Sequence, residues 1–270
     1  MDPARSPFAI VFDVDGTLAP DTTSQFLAGR GVDVDAFWSR SHERMREGWD
    51  PITSYMHEFV IESGGPHGPF TRDEMGTAAR GLALFPGVPT LFDRLAALLA
   101  PRGYEAEFYL ISGGLAPIVA NLAIAARCRG IWASEFDYDD RGRPSFPKAI
   151  VGFTDKTKPL IEISLGLTQA DVQADPYLVD RPIDEGTFRI PFGRVVFVGD
   201  GTNDVPCFVL LAAHGGGAIA VYQAGDAWAE GRARSYRAEG RVGWVAAADY
   251  TPDGAAYRAL TEAIEILTEC

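Results

Sequence analysis

Short apolar runs and longer amphipathic stretches alternate along this chain. Phe8 to Phe12 (FAIVF) is a β-rich run in which apolar residues follow one another without polar alternation. That is the pattern of a strand covered on both faces. Similar runs stand at Glu107 to Ser112 (EFYLIS), Arg194 to Gly199 (RVVFVG) and Gly217 to Tyr222 (GAIAVY). Between them apolar positions fall at helical spacing: PTLFDRLAALLA from Pro89, LAPIVANLAIAA from Leu115 and DVPCFVLLAAH from Asp204. Strands alternating with helices predict an α/β fold, a doubly wound parallel sheet with helices on both faces. Ligands of such sheets bind beyond the carboxyl ends of the strands.

The segment from Pro20 to about Leu84 has a different texture. It offers helical patterns, DAFWSRSHERMREGW and PITSYMHEFVIES, then a Gly/Pro-rich break at SGGPHGPF, and no buried strand. The second pattern sets Ile52, Tyr55, Met56 and Phe59 on one face, a stripe expected to pack helix on helix. The division predicted is a Rossmann-like catalytic core from residues 1–19 and 85–270, with a helical cap inserted at 20–84. Asp137 to Pro147 reads as a hairpin turned near Gly142.

Composition narrows the function classes. Apolar residues make up 47% of the 270 positions and charged residues 23%, the balance of a globular protein with a sizeable core. No stretch approaches the ~18 uninterrupted apolar residues of a membrane span. Acidic residues enter the N-terminal apolar run at once, which predicts no signal peptide and a cytoplasmic location. Cys128, Cys207 and Cys270 form no paired framework, and the four histidines (His42, His57, His67, His214) are scattered. The net charge of −13, with no basic run, argues against nucleic acid or an anionic membrane as partner. Among 24 basic residues only Lys148, Lys156 and Lys158 are lysines, two of them within TDKTKPL.

Four features fall at predicted strand ends or helix starts on the same edge of the sheet. Asp13-Val14-Asp15-Gly16-Thr17 puts two carboxylates directly after a buried strand, where each raises the cost of ionising the other. Ser112-Gly113-Gly114 ends a strand and is expected to open a helix at Leu115; a hydroxyl with free N–H groups there would seat a phosphate. Lys156, with Lys158 nearby, stands at a helix start. Gly199-Asp200-Gly201-Thr202-Asn203-Asp204 follows a strand, and two acids on one short glycine-bearing loop are how oxygen-ligated cations are held. Each feature alone also fits an ordinary turn, cap or solvated side chain.

In order and spacing the four together resemble the signatures of the haloacid dehalogenase superfamily: DVDGTL, ISGG, a lysine and GDGTND. The helical insertion after the first is similar to the cap of its phosphoserine-phosphatase-like members. The resemblance implies a Mg²⁺-dependent phosphatase, with Mn²⁺ as a possible substitute, acting on a small phosphorylated metabolite through an aspartyl-phosphate. It assigns Asp13 as nucleophile and Asp15 as general acid and base. Metal would be held by Asp13, the Asp15 backbone carbonyl and Asp200, with Asp204 beside or just behind it. Ser112, Gly113 and Lys156 would bind phosphoryl oxygens, supported by Thr17 and Asn203. Lys156 is preferred to Lys158 because the family's lysine commonly opens its helix. Two departures bear on substrate: Gly16 stands where phosphoserine phosphatases usually have serine, and Leu165 to Phe192 is longer than theirs. A phosphomutase or phosphotransferase would carry the same motifs, and a non-catalytic regulatory protein would keep the fold but lose one of Asp13, Asp15, Lys156 or Asp200.

Overall fold

The computed structural model describes residues 5–180 and 185–269; Cys270 lies outside them. The chain opens with β1 (Ser6–Phe12) and then runs through four helices, α1 (Thr22–Gly29), α2 (Val34–Arg46), α3 (Pro51–Ser63) and α4 (Arg72–Ala79). It re-enters the sheet through α5 (Val88–Leu99), β2 (Tyr104–Leu115), α6 (Ala116–Val119), β3 (Gly130–Tyr138) and β4 (Pro144–Ala149). There follow α7 (Thr157–Leu165), α8 (Gln169–Ala174), β5 (Val195–Gly199), α9 (Val205–Ala213), β6 (Gly217–Tyr222), α10 (Ala227–Ala238), β7 (Trp244–Ala247) and α11 (Ala255–Thr268).

The strands form one sheet in the order β4-β3-β2-β1-β5-β6-β7, parallel except for the antiparallel β3–β4 hairpin. The chain builds outward from β1 on one side through β2 and β3, then on the other through β5 to β7. The crevice at the carboxyl end of β1 and β5 is therefore the switch point where such sheets hold ligands. The uninterrupted apolar run of β1 is explained by its two partners. Phe8, Ile10 and Phe12 pack with α5 and α11 on one face, while Ala9 and Val11 pack with α7 and α9 on the other. Each large apolar side chain so buried contributes ~1.5–3 kcal/mol.

The inserted helices close a third apolar cluster around Phe26, Phe37, Met56, Phe59, Phe70 and Met75. Leu115, Ile118 and Phe136 from the sheet side complete it, and Phe59 stacks on Phe136 with ring centroids 5.6 Å apart. Buried Glu58 on α3 accepts from Arg40 and Arg44 of α2, which pins those helices together. The two chain segments joining the insertion to the sheet lie side by side: Phe85 N donates to Leu18 O at 2.9 Å, and Ala83 N to Gln25 Oε1 at 2.8 Å.

One predicted helix is corrected. LAPIVANLAIAA is α-helical only over the single turn of α6, with a 3-10 turn beginning at Ala125, because its apolar residues serve two cores. Leu115 and Ile118 face the helical insertion while Val119, Leu122 and Ile124 face the α5 layer, and one helical stripe cannot reach both. The predicted hairpin is present, with Gly142 at φ +73° in its turn. None of the helices among the described residues is long and apolar enough to cross a membrane.

Candidate active site

The loop after β1 places Asp13 at the switch point, its N–H extending the β1–β5 ladder to Val198 O at 2.9 Å. From the opposite layer, the side chain of Lys156 reaches Asp13 Oδ1 at 2.9 Å and Asp204 Oδ1 at 2.6 Å. The ammonium is fully buried. Burial opposes its charge, but the two carboxylates outweigh that and hold its pKa well above the ordinary lysine value. Lys158, by contrast, is half exposed on α7, 3.7 Å from Glu162. Asp204 turns its other oxygen to Gly201 N at 2.8 Å, closing the loop after β5.

Asp13, Asp200 and Asp204 offer carboxylate oxygens that lie within 4.8 Å of one another. Lys156 is the buried cation among them. Arg232 of α10, outside every predicted motif, helps from behind, donating to Asp200 O at 2.9 Å and standing 3.6 Å from its carboxylate. Even so, burial and neighbouring carboxylates push Asp200 well above the usual carboxylate range. Asp13 is pushed up to about 6, by burial first and by Asp204, against the pull of Lys156. The donor set is all hard oxygen and carries more negative charge than its cations balance, which fits a divalent ion such as Mg²⁺ or Mn²⁺.

Asp15 points to the helical insertion, accepting from Thr22 N at 2.6 Å. Burial and the Asp21 carboxylate push it up to about 8. Gly16 between the acid loops has φ +75°, and an ideal Cβ there would stand 2.4 Å from Asp200 Oδ2. A side chain at this position would therefore collide with the acid cluster.

The remaining expected residues are distributed unevenly. Gly113, Gly114 and Asn203 line a cavity of about 270 Å³ together with Asp13, Asp15 and Asp200. Thr17 is buried, 3.5 Å from Asp13 Oδ2, and its carbonyl accepts from Tyr250. As expected, a helical turn opens with Leu115 at its N-cap, while Ser112 itself lies within β2 and its buried hydroxyl accepts from Gly114 N at 3.0 Å. The single turn of α6 begins after it and has no side-chain cap. From the insertion, Asp21, Trp38, His42, Ile52 and Tyr55 roof the cavity. Ile52 and Tyr55 keep the helix-packing role expected for their stripe and also present an edge to the cavity. Tyr55 donates to Gly113 O at 2.6 Å, so α3 is bound directly to the glycine pair. Nothing in their spacing marks these residues, because their meeting place is set by how α2 and α3 pack over the sheet.

The raised carboxylates have a thermodynamic consequence. Unfolded, each ionises near about 4; folded, Asp13, Asp15 and Asp200 keep their protons to higher pH. Their contribution to stability is therefore complete below about pH 4 and lost as pH rises through the folded values. In chelator, Tm is expected to fall between about pH 5 and 8, with Mg²⁺ or Asp200→Asn reducing the fall. A flat Tm across that window would show that the cluster's charge is already balanced.

No protein-family profile matches the sequence. An uncharacterized protein of Borreliella burgdorferi is 25% identical over 294 residues, covering 98% of this chain and 99% of the relative. Among solved structures, a substrate-bound phosphoserine phosphatase superposes with a TM-score of 0.59 at 16% identity, over 96% of this chain and 99% of the other. A probable phosphoserine phosphatase from Vibrio cholerae gives 0.58 at 15% identity, over 98% of this chain and 67% of the other. A HAD-family hydrolase from Salmonella enterica serovar Typhi gives 0.56 at 17% identity, over 82% of this chain but only 64% of its own. The chain has the fold of the HAD-family hydrolases and phosphoserine phosphatases, a mostly parallel seven-stranded α/β sheet.

Proposed function

We propose that this chain is a Mg²⁺-dependent phosphatase of the haloacid dehalogenase superfamily, hydrolysing a small-molecule phosphomonoester through an aspartyl-phosphate on Asp13. The observation that carries the reading is the clustering of Asp13, Asp200 and Asp204, with buried Lys156 bonded to Asp13 and Asp204 and with Asp15 lining the same cavity. In this reading residues 1–19 and 85–270 are the catalytic core and residues 20–84 the cap.

Asp13, pushed up only to about 6, is largely ionised near neutral pH and suited to attack phosphorus. Asp15, pushed up to about 8, still carries a proton there and can give it to the leaving alkoxide. Two acids on one loop are thus held in opposite protonation states, the division that acid–base chemistry requires. Once ionised, Asp15 takes a proton from the water that attacks the aspartyl-phosphate, regenerating both groups. Lys156 stays charged throughout and offsets charge on Asp13 and on the phosphoryl oxygens. Mg²⁺, held by Asp13, Asp200 and the Asp15 carbonyl with Asp204 adjoining, would supply the Lewis acidity that lets a phosphate dianion approach these carboxylates.

Hydrolysis of p-nitrophenyl phosphate, assayed with and without metal, tests the reading. Turnover is expected with Mg²⁺ or Mn²⁺, none in excess chelator, and no recovery with Ca²⁺. Calcium takes more ligands at longer distances and would misplace the attacking carboxylate. Full activity in chelator would sink the metal assignment.

A further inference from the structure

The cavity wall above the acids has an unusual chemical balance. Asp13, Asp15, Asp21 and Asp200 all line it, and among the described residues no lysine or arginine does. Lys156 lies wholly beneath the surface, committed to Asp13 and Asp204. Among the described residues of the lining, His42 at the exposed mouth is the one imidazole.

The aromatic groups offer faces rather than donors. Trp38 spends its indole N–H on Ser24 Oγ at 2.8 Å, and Tyr55 spends its hydroxyl on Gly113 O at 2.6 Å. Their rings stand 5.7 Å apart at 50° to each other, forming a corner of the cavity. The Ser41 hydroxyl, also in the wall, is engaged with Ser54 at 2.9 Å. Rings with their donors tied back, lining the same cavity as the Asp21 carboxylate, form an environment in which organic cations are held. A second anionic group on the ligand would meet carboxylates, with no lysine or arginine among the described lining residues to receive it.

We propose that the leaving alcohol carries a positive charge and no second anion: the substrate is the phosphate monoester of an amino alcohol, its ammonium set between Asp21 and the Trp38–Tyr55 corner. This rests on the phosphatase reading of the same site and names its substrate class. Four esters, assayed with Mg²⁺, separate the two. They are p-nitrophenyl phosphate, choline phosphate, its uncharged isostere 3,3-dimethylbutyl phosphate, and 3-phosphoglycerate. Choline phosphate should exceed the isostere in kcat/KM by about tenfold, and 3-phosphoglycerate by more. Asp21→Asn, which keeps a side chain able to cap α1, should shrink the choline-to-isostere ratio several-fold, and Trp38→Leu should do so independently. An isostere turned over as well as choline phosphate, or a faster 3-phosphoglycerate, overturns the inference while hydrolysis of the aryl ester leaves the phosphatase standing. Ratios unchanged in both variants also overturn it. Absence of turnover on all four esters sinks the phosphatase reading and this inference with it.

Discussion

Asp13→Asn is expected to lower turnover by about 10⁴-fold or more while the protein stays folded, since a carboxamide has nearly the shape of a carboxylate but does not attack phosphorus. The fold should tolerate the change well. Lys156 keeps Asp204 as its ionic partner, and an amide oxygen at position 13 can still accept from the ammonium. Removing one charge from the cluster of Asp13, Asp200 and Asp204 relieves repulsion in the metal-free protein. The variant should therefore unfold at the same temperature as the parent or higher, read by circular dichroism in chelator. Retention of more than a few per cent of activity, with contaminating phosphatase excluded, would remove Asp13 as nucleophile. Loss of activity together with the fold would leave the role to be read from acid-quenched trapping of a phosphorylated intermediate in the parent enzyme.

Asp15→Asn should cost ~10² to 10⁴ in turnover, and the loss should depend on the substrate. The amide oxygen can still accept from Thr22 N, so the loop is held as before. What disappears is a proton to give and a site to receive one. With an alkyl ester the leaving alkoxide needs that proton, and formation of the phospho-enzyme should slow fully. With an aryl ester of low leaving-group pKa the first step should be nearly spared. The second step should stay slow for both, because water still lacks its base. Single-turnover phosphorylation, measured apart from steady state, reads the difference. Equal slowing of phosphorylation across leaving groups of very different pKa would contradict Asp15 as general acid.

The parts of this structure written locally in the chain are legible in its sequence. β1 and β6 are uniform apolar runs because both faces of each are covered, and β5 was visible for the same reason. Asp13, Asp15, Asp200 and Asp204 stand out because each loop must follow its strand immediately. Gly16 is visible as a departure, but the close approach of Asp200 to it exists only in three dimensions. The failed helix after Leu115 looks amphipathic until two separate cores divide its apolar residues. Arg232 and the Trp38–Tyr55 corner leave no sequence signal at all, since each depends on the packing of distant helices. The short β7 is likewise set by pairing with β6 rather than by its own four residues.

The bridge made by Lys156 also orders events in time. Its partners are 143 positions earlier and 48 positions later in the chain. On the ribosome Asp13 emerges long before its counter-ion, and Asp204 emerges last of the three. Local helices can form early, but closing so long a loop precedes any reward from the contact it makes. The acid loops repel one another until that closure is complete. Recovery of catalysis after denaturation is thus a stricter sign of a finished molecule than recovery of helical signal, because it requires segments far apart in the chain to have met.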